Sequence, residues 1–273
     1  MIAVVDRPAR ARTRAGRLAP LDVWLLKRES SLPDRSERSS ATAVFLDVGF
    51  GERPVTTLET WEALRAVSEP WKVIGIELDP SRALRAQDES GSDQVSFVRG
   101  GFREVASCEP KARVIRVMNV LRSYPPDQIE SIHRMLAGGL VNRGLLIEGT
   151  SDTCGHVLAA WLIRREGNEP RKRGLLFHTD FTRGFCPWLL RDFLPRDIRR
   201  GVQQGTPIHG LLSDWHAAWS VVRAQGEKSP RELFVRSLAS LAMHRADVDP
   251  CTDLDPGFAL WKLTGSEPLD GRP

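Results

Sequence analysis

Cysteine is scarce in this chain and dispersed. Cys108, Cys154, Cys186 and Cys251 are the only four, and none stands in a CxxC pair. That spacing argues against structural zinc, and scattered thiols suit a reducing cytoplasm. The six histidines form no HxxxH or HxH pair, so no metal centre is expected, because metal sites need clustered ligands. Tyrosine occurs once, at Tyr124. No stretch approaches the roughly 20 apolar residues that span a bilayer. The arginines near the start have no apolar segment behind them. Neither a membrane span nor a secretory signal is therefore expected.

What remains is the composition of a soluble globular protein. Of 273 residues, 41% are hydrophobic and 27% charged, enough for one sizeable domain or for one domain with an extension. The net charge of +4 is carried mostly by arginine. It permits an anionic partner without requiring one.

Residues 1–19 hold Arg7, Arg10, Arg12, Arg14 and Arg17 with no hydrophobic period. They read as a solvated arm or, alternatively, a nucleic-acid-binding one, although no aromatic residue is interleaved for base stacking. Residues 21–29 suggest a short helix with Leu21, Trp24, Leu25 and Leu26 on one stripe. Residues 30–40, with one Pro and five Ser, suggest a linker. The expected division is 1–41 as arm, helix and linker, 42–155 as a ligand-binding core, and 156–273 completing the sheet.

From residue 43 strands and helices alternate. Strands are expected at 43–48, 73–78, 95–98, 112–118, 140–148, 175–178 and 258–263, and helices from 56, from 80, at 126–136 and at 156–165. Thr56 to Glu59 has a capping-box spacing, followed by Leu58, Trp61, Leu64 and Val67 at helical intervals. Helical segments at 187–193, 209–223 and 230–244 fall in an insertion over 179–257, expected to cap the ligand cleft. The alternation predicts an α/β, Rossmann-like, doubly wound sheet, with parallel strands covered on both faces.

The chemistry is expected at the strand ends. Asp47-Val48-Gly49-Phe50-Gly51 is a strand followed by a glycine turn, and Glu77-Leu78-Asp79 ends the next strand. In such a unit the glycines let the backbone approach a ligand and the acid holds ribose hydroxyls. An Asp before the first glycine and the lack of a third glycine point away from dinucleotides, toward a nucleoside without pyrophosphate such as S-adenosylmethionine. Asp79-Pro80 reads as a helix N-cap, which leaves Glu77 for the ribose. Gly101 and Phe102 follow the third strand, where backbone amides would meet a base and Phe102 either stacks on it or joins the core. Asn119, Arg122 and Tyr124 follow the fourth strand, and Asp152 follows the fifth. Asn119 is assigned to the ligand, and Arg122, Tyr124 and Asp152 to the acceptor side, with capping of the next element an equal alternative for Asp152.

With these residues in place, the chain resembles the class I S-adenosylmethionine-dependent methyltransferases, and more narrowly bacterial methylases of unassigned substrate. The blocks that carry the resemblance are Asp47 to Gly51, Pro54 to Glu59, Arg99 to Phe102, Asn119 to Tyr124 and Glu148 to Asp152. The resemblance implies a seven-stranded sheet with an antiparallel last strand, and cofactor contacts at Asp47, Gly49 and Glu77. Asn119-Val120-Leu121-Arg122 stands where methylases of adenine amines carry Asn/Asp-Pro-Pro-aromatic, which argues against that substrate. The expected activity is methyl transfer to a small molecule. The alternatives are an RNA acceptor, held by the basic arm, and a cofactor-binding module without catalysis.

Overall fold

A computed structural model describes residues 6–7, 13–28, 42–66, 70–89 and 91–263. The expected linker at 30–40, together with Arg10, Arg12 and Val67, lies outside them. Five strands form the parallel half of one sheet: β1 (Ala43–Val48), β2 (Trp71–Glu77), β3 (Val95–Arg99), β4 (Ala112–Met118) and β5 (Leu140–Ser151). Their order is β3-β2-β1-β4-β5, all parallel. The chain steps outward from β1 to β3, then returns to the other side of β1 with β4. That reversal makes the fold doubly wound and Rossmann-like, and it opens a crevice at the carboxyl ends of the strands. The connecting helices are α2 (Val55–Leu64), α3 (Pro80–Asp88), α4 (Phe102–Ala106) and α5 (Ile129–Ala137), with α1 (Ala19–Arg28) preceding the sheet.

Beyond β5 the sheet turns antiparallel. It continues through β6 (Val157–Glu166), β7 (Glu169–Thr179), β9 (Phe258–Lys262) and the two-residue β8 (Val248–Asp249). The described sheet therefore has nine strands where seven were expected. The largest single difference is β6, where a helix was expected over 156–165. Val157, Ala159, Trp161 and Ile163 pack into one core layer, and Leu158, Ala160 and Leu162 into the other. A short run that is apolar at every position fits a strand buried on both faces as well as a helix. Here the tight turn from β5 decides for the strand.

Two layers cover the sheet. On one face α1 places Leu21, Trp24 and Leu25 beside Leu64 of α2. On the other lie α5, α7 (Pro207–Ala224) and α8 (Pro230–His244). Over the antiparallel half, Trp215 of α7 meets Phe177 of β7, Phe185 and Phe234 of α8, with ring centroids 5.5 to 6.2 Å apart. The short α6 (Arg196–Arg199) connects this layer to the cleft, where Arg196 Nε donates to the Tyr124 carbonyl at 2.8 Å.

The capping box expected at Thr56 does not form. Helix α2 begins at Val55, one residue earlier, with Pro54 at its N-cap and no side-chain cap. Thr57 turns inward to donate to Asp47 at 2.6 Å, and Glu59 accepts from the Gly16 N–H at 2.8 Å. Of the two capping-box residues, Glu59 is taken by a tertiary partner, while the Thr56 hydroxyl is buried without a hydrogen bond among the described residues.

Candidate functional site

The carboxyl ends of β1 to β4 surround a cleft that opens to solvent. Val48 and Gly49 border it after β1, Glu77 and Leu78 after β2, Gly101 and Phe102 after β3, and Val120 and Tyr124 after β4. Gly49 has φ +74, a left-handed conformation that costs a side-chain-bearing residue energy. The turn that brings the Val48–Gly49 backbone to the cleft thus depends on glycine there.

Glu77 is the acid of this cleft. It is buried, and its carboxylate is oriented by two backbone amides: Gly51 N–H donates to Oε2 at 2.9 Å and Asp79 N–H to Oε1 at 3.1 Å. A carboxylate has about four acceptor directions, so capacity remains for ligand hydroxyls. Asp79 is spent elsewhere, accepting from the Ser81 and Arg82 amides at 2.9 and 3.1 Å as the N-cap of α3. Hydrogen bonds from Ser81 and Arg82 hold its carboxyl below the usual range. Asp79 is thus the N-cap that Asp79-Pro80 announces.

Three expected ligand contacts are occupied by the fold instead. Asp47 faces the core on the α2 side. Arg116, its direct neighbour on β4, grips it with Nε on Oδ1 at 3.0 Å and Nη2 on Oδ2 at 2.9 Å. The same guanidinium donates to Asp22 at 3.0 Å, Thr60 at 2.7 Å and the Thr56 carbonyl at 3.1 Å, which uses all five of its N–H groups. Asn119, at φ +63, ties the ends of β4 and β5 together: its Nδ2 donates to Ser151 Oγ at 3.2 Å, and its Oδ1 accepts from the Ser151 N–H at 3.0 Å. Phe50 packs edge-on against Phe97 at 5.4 Å, inside a small core cluster. Gly51 contributes through the amide that orients Glu77.

After β4, Tyr124 borders the cleft and Arg122 is exposed. The Tyr124 ring lies 5.5 Å from that of Phe102, so Phe102 takes the core alternative and only its backbone edge is left for a ligand. Burial pushes the Tyr124 phenol up to about 12. Asp152 takes the capping alternative. Its Oδ1 accepts from the amides of Cys154, Gly155 and His156 at 3.2, 2.6 and 2.9 Å, closing the turn into β6.

Several residues with marked roles here carried no assignment from the sequence. Asp6 and Arg7 line the cleft; an arm without hydrophobic period gives no signal for where it docks. Arg116 had a signal, a charge in the middle of an otherwise apolar strand. At the turn after β5, His156 Nδ1 lies 2.7 Å from Asp180 Oδ2. Burial alone would raise the Asp180 carboxyl, but bonds from His156 and Thr182 hold it below its usual range. Among the described residues no group of three or more His, Cys, Asp and Glu is placed to hold a metal ion, and no helix is long and apolar enough to cross a membrane.

No protein-family model and no curated protein matches the sequence. Solved structures do resemble part of it. The chain is similar to S-adenosylmethionine-dependent methyltransferases over about half its length. Magnesium protoporphyrin IX methyltransferase from Synechocystis PCC 6803, with bound S-adenosylhomocysteine, is 17% identical, with a TM-score of 0.36, covering 49% of this chain and 54% of its own. An S-adenosylmethionine-dependent methyltransferase from Mesorhizobium loti is 14% identical, with a TM-score of 0.33, covering 45% and 52%. The CMeT domain of the citrinin polyketide synthase is 16% identical, with a TM-score of 0.41, covering 50% and 36%. The matched part thus spans about half or less of those chains.

Proposed function

We propose that the cleft binds S-adenosylmethionine and that the chain transfers its methyl group to a small-molecule acceptor. The observation that supports this most strongly is Glu77, a buried, amide-oriented carboxylate at the end of the strand beside the topological reversal, lining a crevice shared by four strand ends. Such a carboxylate suits a ribose diol. The Val48–Gly49 backbone suits the amino-acid portion, and the Gly101–Phe102 backbone suits the base. Bound there, the cofactor supplies an electrophilic methyl group on a sulfonium whose departure leaves a neutral thioether. The protein's part is to position the reactants and exclude water. Where the acceptor carries a proton, His156, held by Asp180 on the same edge of the sheet, is the candidate base. Arg122 and Tyr124 are the candidate acceptor contacts. The four free cysteines fit a cytoplasmic setting.

An RNA acceptor is the second reading, and the arm gives it little support. Arg17 is buried, and Arg7 places one of its donors on the Ser123 carbonyl at 2.8 Å, so the protein itself engages part of the arm's charge. The third reading is a binding module without turnover. Incubation with methyl-labelled cofactor and fractionated cell extract separates the three. Label in the low-mass fraction is expected. Label in RNA supports the second reading, and cofactor binding with no transfer to any fraction supports the third.

A further inference from the structure

The first described residues of the N-terminal arm lie in the cleft. Asp6 Oδ1 accepts from the Phe102 N–H at 3.4 Å. The Arg7 N–H donates to the Tyr124 hydroxyl at 2.6 Å, and its guanidinium carbon stands 5.5 Å from the centre of the Tyr124 ring. Further along, Thr13 donates to the Phe50 carbonyl at 2.8 Å, so the arm is fastened to the glycine turn as well. The seat for Asp6 exists because residue 101 is glycine: a Cβ there would fall 2.1 Å from Asp6 Oδ2. Gly101 has φ −128, which any residue adopts. Space, not backbone freedom, is what the position requires.

We propose that Asp6 is a binding residue of this site, its carboxylate receiving the exocyclic amino group of the adenine while the Phe102 N–H meets the neighbouring ring nitrogen. The proposal rests on the S-adenosylmethionine reading above. With Glu77 on the ribose at the end of β2, the base extends toward the loop after β3. That loop is Gly100-Gly101 and brings no side chain of its own to the base. Adenine presents a donor beside an acceptor on its polar edge, so its complement is an acceptor beside a donor. Asp6 and the Phe102 N–H are such a pair, in adjacent positions. Their mutual bond, at 3.4 Å, is beyond the usual range for N–H···O, so a ligand acceptor displaces it at little cost. Burial raises the Asp6 carboxyl above its ordinary range, with only the Phe102 amide and Arg103 opposing; this is a carboxylate short of donors.

The test is calorimetric titration of the full chain with S-adenosylhomocysteine and with S-inosylhomocysteine, in which a carbonyl replaces the amino group. Wild-type protein is expected to prefer the adenosine ligand by about tenfold or more, the scale of one hydrogen bond to a charged group. Asp6→Ala is expected to lose about that factor for the adenosine ligand and little for the inosine one, so that the preference collapses. Gly101→Ala, which evicts Asp6, should do the same. Adenosine-ligand binding unchanged in Asp6→Ala overturns the assignment alone. Tighter binding also overturns it and makes the arm a competitor for the cleft. Wild-type protein that binds neither ligand removes the cofactor reading and this assignment together.

Discussion

Arg116 shows how a single buried charge can set the chemistry around it. Its five donors are all used, on Asp47, Asp22, Thr60 and the Thr56 carbonyl. Removing one partner of such a network leaves uncompensated charge and costs about 3–5 kcal/mol. Arg116→Met is therefore expected to lower unfolding stability by that amount in urea titration, and a loss below about 1 kcal/mol would contradict the assignment. His178 makes the second prediction at this scale. It is buried with Nδ1 unpartnered, its ring 4.5 Å from that of Phe258, and burial pushes its imidazole down to about 4. The unfolded chain takes up this proton near 6.5 and the folded chain only near 4. Stability is thus lost as pH falls through that window, by up to about 3 kcal/mol. His178→Phe should flatten that limb of the stability–pH curve. Asp47 shows what one residue discloses in sequence. Its place at the end of a buried strand was legible from its apolar neighbours. Its direction was not, because that depended on Arg116, 69 positions away.

Elements tell a similar story. The parallel half was legible because each of its strands is a short apolar run bounded by turn residues, with helical periods between. The helices α7 and α8 were legible by the same periodicity. Strand β6 was not, because a segment buried on both faces carries no alternation. Its pairing with β5 also gives Gly149 a meaning that the sequence lacked. A Cβ at Gly149 would lie 2.2 Å from the Ala159 carbonyl oxygen and 2.6 Å from the Ala160 Cα. Gly149→Ala must therefore push β5 and β6 apart, and the cost expected for such overpacking is about 1–3 kcal/mol. Thermal denaturation of the variant checks this; an unshifted midpoint would mean that the two strands do not approach so closely. The arm is the opposite case, an element with no internal pattern whose position is set wholly by the surface that receives it.

At the scale of the whole molecule, the proposed function turns on where the chain reverses. Strands β1 to β3 run one way across the sheet and β4 and β5 the other, so the loops after β1 and β4 part and leave a crevice. The sheet's antiparallel extension and its helical cover lie to one side of that crevice and reach it through α6 and the turn after β5. The cleft at the strand ends was legible from the strand–glycine–acid order, and Glu77, which lines it, is the acid proposed for the ligand. Its outer wall was not, since Asp6 comes from a segment whose docking no local pattern encodes. The cleft is proposed to be a nucleoside site organised by Glu77, and titration calorimetry with S-adenosylhomocysteine tests that most directly. Wild-type protein is expected to bind with a dissociation constant on the order of micromolar, and Glu77→Ala, shown to be folded by its circular dichroism spectrum, to bind at least about tenfold more weakly. Absence of binding by the wild-type chain, or equal affinity in the variant, would contradict it.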